Sequence, residues 1–238
     1  MPYSFEGKIR FSEVGEDGRL TLPGILNYFQ DCSTFQSEEK GQGIKAVQGR
    51  GRVWVLSFWQ IVVNRFPAMA EAVKTSTWPY DFRAFMGSRN FTMETAAGEP
   101  LAWANSIWSY IDMENGAPAR LREEDLNGFE LEPKLQMDYA PRKIAVPADC
   151  EKKESFTIQK HHLDTNHHVN NVQYISMAAE YLPENFRIRE MRAEYKKQVF
   201  LGDSLYPEVS LTDGQATVVL RNEGAEVCTI IQFIEEKK

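Results

Sequence analysis

The side chains best suited to acid-base chemistry are concentrated in one short segment. All four histidines lie within residues 161–168, and the same segment contains Asp164 and Asn166. Histidine has the unperturbed pKa closest to neutral pH, and it is both the usual proton-transfer group and a common metal ligand. We therefore expect the chemistry of this protein between residues 160 and 171.

We expect residues 164–170 to be extended, because they lie between a predicted strand and a predicted helix. Alternate side chains of an extended segment point to the same side. This would group Asp164, Asn166 and His168, and it would turn His167 away. The amides and the positive dipole end of the following helix would face the same site.

The same residues also suit two other roles, metal binding and helix capping. Adjacent histidines in a strand point in opposite directions, and no further cysteine or histidine cluster stands nearby. We therefore expect no metal and no cofactor. Asp164 and Asn166 could instead cap the following helix, a position that Asp and Asn favour.

Composition limits the class of protein. The 238 residues are 42% apolar, enough for one large domain or two of roughly 110 residues. We find no apolar run near the roughly 20 residues needed to span a bilayer, and no signal peptide at the start. A net charge of −7 argues against a nucleic-acid binder. Three widely spaced cysteines indicate reduced thiols in a cytosol: Cys32, Cys150 and Cys228.

Periodicity predicts the same order of elements twice. Thr21 is a plausible N-cap of a first helix that would end near Gly41 and Gly43. Strands follow at about 53–63, 73–78, 82–95 and 102–112. The buried stripe of this helix is predicted to be Ile25, Leu26, Phe29, Cys32 and Phe35.

After a proline-rich connection with a short helix near 122–126, the order returns. A strand at 154–159 precedes the histidine segment, and strands at about 189–197, 204–211, 216–221 and 226–234 follow a second helix ended by Pro183. We predict a duplicated α+β unit with residues 1–115, a linker over 116–150, and residues 151–238. The apolar face of the second helix is predicted to be Val172, Ile175, Ala179 and Leu182.

Five segments resemble the acyl-acyl-carrier-protein (acyl-ACP) thioesterases of plant plastids and their bacterial relatives. Residues 164–175, DTNHHVNNVQYI, match the family pattern D-x-N-x-H-V-N-N-x-x-Y-I. The others, in family order, are LPGILNYFQD (22–31), WVLS through VNRFP (54–67), ANSIW (104–108) and AEYKK (193–197). The resemblance implies two tandem hotdog folds, the first enclosing the acyl chain.

One position departs from the family. The plant enzymes continue the last segment with Glu-Cys, to which catalytic roles have been assigned, whereas this chain has Gln198 and Val199. Valine cannot be a nucleophile, and glutamine cannot accept a proton as glutamate would. Proton acceptance must therefore move to His168 or Asp164.

The resemblance implies hydrolysis of an acyl-ACP thioester in the cytoplasm, releasing a fatty acid and ending chain elongation. The expected mechanism is attack by water: His168 takes the proton, Asp164 fixes geometry, Asn166 with helix amides holds the carbonyl, and Gln198 orients the water. An acyl-Asp164 intermediate stays open. The lack of a plastid-type leader suggests a bacterial protein.

The expected partner is acyl carrier protein, which is acidic, so a local basic surface is needed. Two clusters are candidates, although each could be an ordinary solvated face: Arg187, Arg189, Arg192, Lys196 and Lys197, and Lys45, Arg50 and Arg52. An acyl-CoA or aryl-CoA thioesterase, and a non-catalytic lipid-sensing hotdog protein, remain alternatives. Preferred chain length and a homodimer are left open.

Overall fold

The computed structural model describes residues 1–43, 46, 49 and 51–237. The chain divides into two compact units. Unit 1 comprises Met1–Ser57 and Val63–Tyr139, and unit 2 comprises Phe58–Val62 and Ala140–Lys238. In the described part of the chain, no helix combines the length and apolar character needed to cross a membrane.

Unit 1 combines a sheet of antiparallel pairs with one long helix, α1 (Leu22–Glu39). The order in the sheet is β1-β3-β4-β5-β2, and α1 packs against β1 and β3. A short helix, α2 (Glu123–Leu126), follows the sheet. The strands are β1 (Tyr3–Lys8), β2 (Arg52–Val63), β3 (Ala72–Arg83), β4 (Met86–Thr95) and β5 (Pro100–Asp112).

Unit 2 repeats this layout with a shorter helix, α3 (Asn171–Ala179), which packs against β11. The order is β8-β11-β10-β9; β6 and β7 both pair with β9, and Phe58–Val62 of β2 pair with β8. The predicted duplication of an α+β unit is confirmed. The strands are β6 (Glu151–Lys152), β7 (Phe156–Thr157), β8 (Ile188–Tyr195), β9 (Ser204–Thr212), β10 (Gln215–Arg221) and β11 (Val227–Glu235).

The buried stripe of α1 differs from the prediction at one position. Phe35 is 44% exposed, so its predicted burial is wrong, and Gln36 is buried instead. The side-chain oxygen of Gln36 accepts a hydrogen bond from the buried guanidinium of Arg89, which explains why a polar residue is held inside. The other four predicted residues are buried: Ile25, Leu26, Phe29 and Cys32.

Several element bounds also differ. Strand β1 was not predicted, and the predicted strand 82–95 is divided by a turn at Ala84, whose φ is 56°. Helix α3 ends at Ala179, so Leu182 lies beyond the helix. The strand predicted over 154–159 is reduced to Phe156–Thr157.

One local structure occurs in both units and positions the histidine segment. In each case a 3₁₀ turn is followed by an isolated antiparallel bridge that closes a tight loop, and then by the helix. The 3₁₀ turns are Phe11–Glu13 and Lys160–His162. The bridges are Val14 with Leu20 and Leu163 with Val169. Residues 11–21, the unit 1 loop, therefore correspond to residues 160–170, the unit 2 loop.

The prediction that residues 164–170 are extended is wrong. The amide of Asp164 donates to the carbonyl oxygen of His168 at 2.8 Å, which folds the segment back on itself. His167 lies in the left-handed region with a φ of 61°. Because the chain turns there, side chains no longer alternate as they do in a strand.

Each loop is fastened to the corner between two strands. The amide of Val169 donates to the carbonyl oxygen of Val199 at 3.0 Å, and His168 forms an isolated bridge with Phe200. In unit 1, Leu20 donates in the same way to Pro67 at 2.8 Å. The corner at Val199 and Phe200 therefore holds the backbone of the unit 2 loop at two consecutive residues, His168 and Val169.

The N-cap of α1 gives a direct test of local stability. Thr21 Oγ1 accepts the Gly24 amide at 3.1 Å, so Thr21→Ala should lower the free energy of unfolding by about 1 kcal/mol, measured by urea denaturation. Thr34→Ala is the matched control, because the Thr34 hydroxyl bonds the Gln30 carbonyl within the helix. We expect a change within about 0.5 kcal/mol there. Equal losses in the two variants would contradict the capping role.

Candidate active site

Asp164 closes the unit 2 loop with one of its two carboxylate oxygens. Oδ1 accepts the backbone amides of Asn166 at 2.8 Å and His168 at 3.2 Å. Oδ2 has no hydrogen bond within the described residues, and the side chain is half-buried. The carboxylate is thus fixed by the backbone while one oxygen remains available to a substrate, a water or an imidazole.

His168 lies directly across the loop from Asp164. Its side chain is half-buried, and its ring meets the Phe200 ring edge-on with centroids 5.0 Å apart. The contact that the structure shows between His168 and the Asp164 carboxylate is through the His168 backbone amide. The imidazole nitrogens make no hydrogen bond to the described residues, so both remain available for proton transfer.

Asn166 and Gln198 are both exposed. Asn166 stands in the turn of the loop, and its side-chain amide has no partner in the described part of the chain. Gln198 follows β8 and precedes the corner to which the loop is fastened. The structure therefore places Asp164 and His168 together in the loop, with Asn166 at its tip.

The remaining three histidines have different surroundings. His162 Nδ1 accepts the Gln159 amide at 3.0 Å, which leaves the proton of the neutral ring on Nε2. Burial, and secondarily the charge of His161, lowers the pKa of His162. His161 and His167 are exposed.

The helix that follows the loop is capped by Asn170. Its side-chain oxygen accepts the Val172 amide at 2.9 Å. The predicted alternative, in which Asp164 or Asn166 caps α3, is therefore wrong. Because the cap occupies the Val172 amide, that group is not free to bind a substrate carbonyl.

Residues near the loop that the sequence did not mark as functional also shape it. Phe200 packs on His168, and its amide donates to Asp203 Oδ2 at 2.9 Å. Tyr174 is buried below the loop, where burial raises the pKa of its hydroxyl above the usual range. Of these residues, Tyr174 could have been identified from the sequence, because it belongs to the family pattern over residues 164–175. Phe200 lies outside the five segments that resemble the family.

The unit 1 loop has the same backbone but different chemistry. Gly15 stands at the position of Asp164, and Arg19 stands at the position of His168. The amide of Arg19 is held by Asp17 Oδ1 at 3.0 Å. Beside this loop is a depression of about 680 Å³ lined by Phe11, Val14, Gly15, Glu16, Gly18, Ala68 and Met69.

Two features bear on ligand binding: the possible metal ligands and the basic cluster predicted over residues 187–197. Among the described residues no three His, Cys, Asp or Glu side chains form a possible metal-binding group. Lys196 pairs with Glu194 at 3.5 Å, and Lys197 pairs with Glu226. The guanidinium of Arg192 donates to the Pro141 carbonyl and the Gln232 side chain. Two residues of the second predicted cluster lie outside the described residues: Lys45 and Arg50.

Curated relatives are chloroplast proteins of plants. The acyl-(acyl-carrier-protein) hydrolase FATB1 of Cuphea viscosissima is 26% identical over 222 residues, covering 86% of this chain and 53% of the relative. The palmitoyl-acyl carrier protein thioesterase of Cuphea hookeriana is 27% identical over 208 residues, covering 80% and 50%. The chain thus spans about half the length of these relatives.

Solved structures share the fold over the whole chain. An acyl-ACP thioesterase from Bacteroides thetaiotaomicron superposes with a TM-score of 0.88 at 22% identity, covering 98% of this chain and 97% of the other. The 12:0-ACP thioesterase of Umbellularia californica gives 0.86 at 18% identity, covering 100% and 98%. The expected tandem hotdog fold is confirmed.

Family models match both units. The acyl-ACP thioesterase N-terminal domain matches residues 2–129, and the acyl-ACP thioesterase C-terminal domain matches residues 147–235, which include the unit 2 loop. The chain belongs to the acyl-ACP thioesterase family.

Proposed function

We propose that the protein hydrolyses the thioester between a fatty acyl group and acyl carrier protein, with the unit 2 loop as its active site. The observation that carries this proposal is the hydrogen bonding of the Asp164 carboxylate. Two backbone amides hold one oxygen of its carboxylate, and the other oxygen is unpaired among the described residues, opposite His168 in the same loop. Membership of the acyl-ACP thioesterase family supports the choice of substrate.

In the proposed reaction water attacks the carbonyl carbon of the thioester. His168 takes a proton from the water as the new C–O bond forms, and it returns that proton to the sulfur as the C–S bond breaks. The products are a fatty acid and the carrier thiol. Rate gains of about 10²–10⁴ are typical for such proton transfer.

Two exposed amides would assist this attack. The Asn166 side chain, which has no partner among the described residues, would donate to the carbonyl oxygen as it becomes negative. Gln198 would orient the water through its amide, because it can donate and accept hydrogen bonds but cannot act as a base.

Asp164 can contribute in two ways, and both follow from its free Oδ2. It can accept a hydrogen bond from the His168 ring and stabilise the imidazolium that forms. Alternatively, Oδ2 can attack the thioester itself and form an acyl-Asp164 that water then hydrolyses. Both routes require the charge of the carboxylate.

Thiol release from a panel of acyl-ACPs and matched acyl-CoAs tests the activity. We expect turnover of the carrier-bound substrates, with kcat/KM at least about tenfold above that of the CoA thioesters, because the carrier adds binding surface. The panel should run from short to long chains, saturated and unsaturated. Turnover of CoA esters alone would favour the acyl-CoA thioesterase alternative. No turnover of either class of thioester would reject the hydrolase proposal.

His168→Ala should lower kcat by about 10²–10⁴ because it removes the proposed base. The melting temperature should stay near that of the wild type, since the ring makes no hydrogen bond to the described residues. Arg19→Ala is the matched control, because Arg19 holds the same position in the unit 1 loop. It should leave turnover within about twofold of wild type. Wild-type activity in His168→Ala would reject the assignment.

Asp164→Asn and Asp164→Ala separate the chemical role of the carboxylate from its structural role. Asparagine keeps an oxygen for the amides of Asn166 and His168, so we expect lost turnover with near-native stability. Alanine leaves both amides unpaired, and we expect a further loss of about 1–2 kcal/mol in the free energy of unfolding. Kinetics and urea unfolding of both variants measure this split. Full turnover in Asp164→Asn would show that only the loop-closing role matters.

A further inference from the structure

The two loops share a backbone but differ in charge. The unit 1 loop holds three carboxylates against one guanidinium: Glu13, Glu16, Asp17 and Arg19. The unit 2 loop holds one carboxylate, Asp164, together with Lys160 and all four imidazoles. Because the backbone is common to both, the difference lies in the side chains that each loop shows to solvent.

Lys160 is the lysine closest to the proposed reaction centre along the chain. It begins the 3₁₀ turn of the unit 2 loop, its side chain is exposed, and it makes no ion pair within the described residues. The neighbouring His161 is also exposed, and its ring lies against the His162 ring at an interplanar angle of 60°, with centroids 4.0 Å apart. A cation of this kind can attract an anion without first breaking an existing pair.

Three other lysines of unit 2 are already engaged, whereas the exposed Lys143 and Lys152, which like Lys160 make no ion pair within the described residues, lie farther from Asp164 along the chain. Lys153 pairs with Glu151 at 2.6 Å, and Lys196 and Lys197 pair with glutamates as described above. An acidic partner would have to compete with those carboxylates. Lys196 and Lys197 of the predicted 187–197 cluster are therefore less suited to docking than Lys160, which has no such competitor within the described residues.

Exposed apolar side chains flank the same loop. Phe200 is 48% exposed and Leu201 is 50% exposed, and Phe200 is joined to His168 by the isolated bridge and the ring contact. A surface with an apolar centre and a charged rim is typical of protein–protein contacts. The apolar pair supplies contact area, and the cation supplies orientation.

We propose that the unit 2 loop surface, formed by Lys160, His161, Phe200 and Leu201, is the docking site for the acidic surface of the carrier protein. This proposal rests on the proposed function, because it takes the carrier as the bearer of the thioester. The carrier delivers its acyl group on a flexible arm. A contact beside Asp164 and His168 would hold the base of that arm close to the reacting atoms.

The test compares Lys160→Glu with wild type on three substrates with the same acyl group: acyl-ACP, acyl-phosphopantetheine and acyl-pantetheine. We expect kcat/KM of Lys160→Glu for acyl-ACP to be about tenfold below that of the wild type, mainly through a higher KM. At 0.5 M salt this difference between variant and wild type should narrow to about twofold. Both small thioesters should stay within about twofold of wild type. Their turnover also shows that the variant is folded.

Lys152→Glu is the matched control, since it reverses an exposed lysine of the same unit on β6. It should change kcat/KM for acyl-ACP by less than about twofold. Equal losses in the two variants would mean that net charge, not this surface, steers the carrier. A loss in Lys160→Glu that is as large for acyl-phosphopantetheine would show that Lys160 binds the arm's phosphate, and would overturn docking by the carrier's surface.

The possible outcomes distinguish failure of the docking proposal from failure of the proposed function. Normal acyl-ACP turnover that Lys160→Glu does not change would overturn the docking surface alone. Failure of the wild type to hydrolyse acyl-ACP, with acyl-pantetheine still cleaved, would overturn both the carrier docking and the carrier as substrate. No cleavage of any thioester would reject the hydrolase.

Discussion

The fold of the unit 2 loop depends on the pairing of Asp164 with His168. The Asp164 amide donates to the His168 carbonyl, and the His168 amide donates to the Asp164 side chain. This exchange holds the backbone of His168 against Asp164 and leaves the imidazole and Oδ2 without a hydrogen bond to the described residues. In unit 1 the backbone bond from Gly15 to Arg19 is the same, but Asp17 accepts the second amide. The turn therefore needs a carboxylate in either unit, but only in unit 2 does its position coincide with a histidine across the loop.

Much of the fold could be predicted from local patterns, and its failures have identifiable causes. Thr21 caps α1 as its sequence indicates, and the β-branched and aromatic runs mark the strands. Gln36 is buried in place of the predicted Phe35 because it accepts a hydrogen bond from Arg89, a residue distant in sequence. The turn at Ala84 lacks the glycine, proline or asparagine that signals a turn, so the boundary between β3 and β4 was predicted near Pro79, which lies inside β3.

The residue types of the candidate site could be predicted from the sequence, but the backbone conformation of residues 164–170 could not. The family pattern selected Asp164, Asn166 and His168, and the chemistry of those groups gave them roles. Alternation in an extended strand was the wrong model, because His167 adopts a left-handed φ that is uncommon outside glycine. Gly18 occupies this position in unit 1 with a φ of 69°. Comparing the two loops position by position could have revealed the turn, although their sequences share almost no identity.

Nothing in the backbone of unit 1 prevents it from carrying the chemistry of unit 2. A Cβ built on Gly15 would meet Asp17 Oδ1 at 3.5 Å and Thr21 Cγ2 at 3.6 Å, which are ordinary contacts. Ala68 forms an isolated bridge with Arg19, as Phe200 does with His168. The depression beside this loop therefore lies where Gly15, Gly18 and Ala68 stand at the positions of Asp164, His167 and Phe200. The difference between the loops is therefore one of side-chain type and charge. Because the unit 1 loop carries three carboxylates against one guanidinium, the proposed docking of an acidic carrier is less favourable there than at the unit 2 loop, where one carboxylate is matched by Lys160.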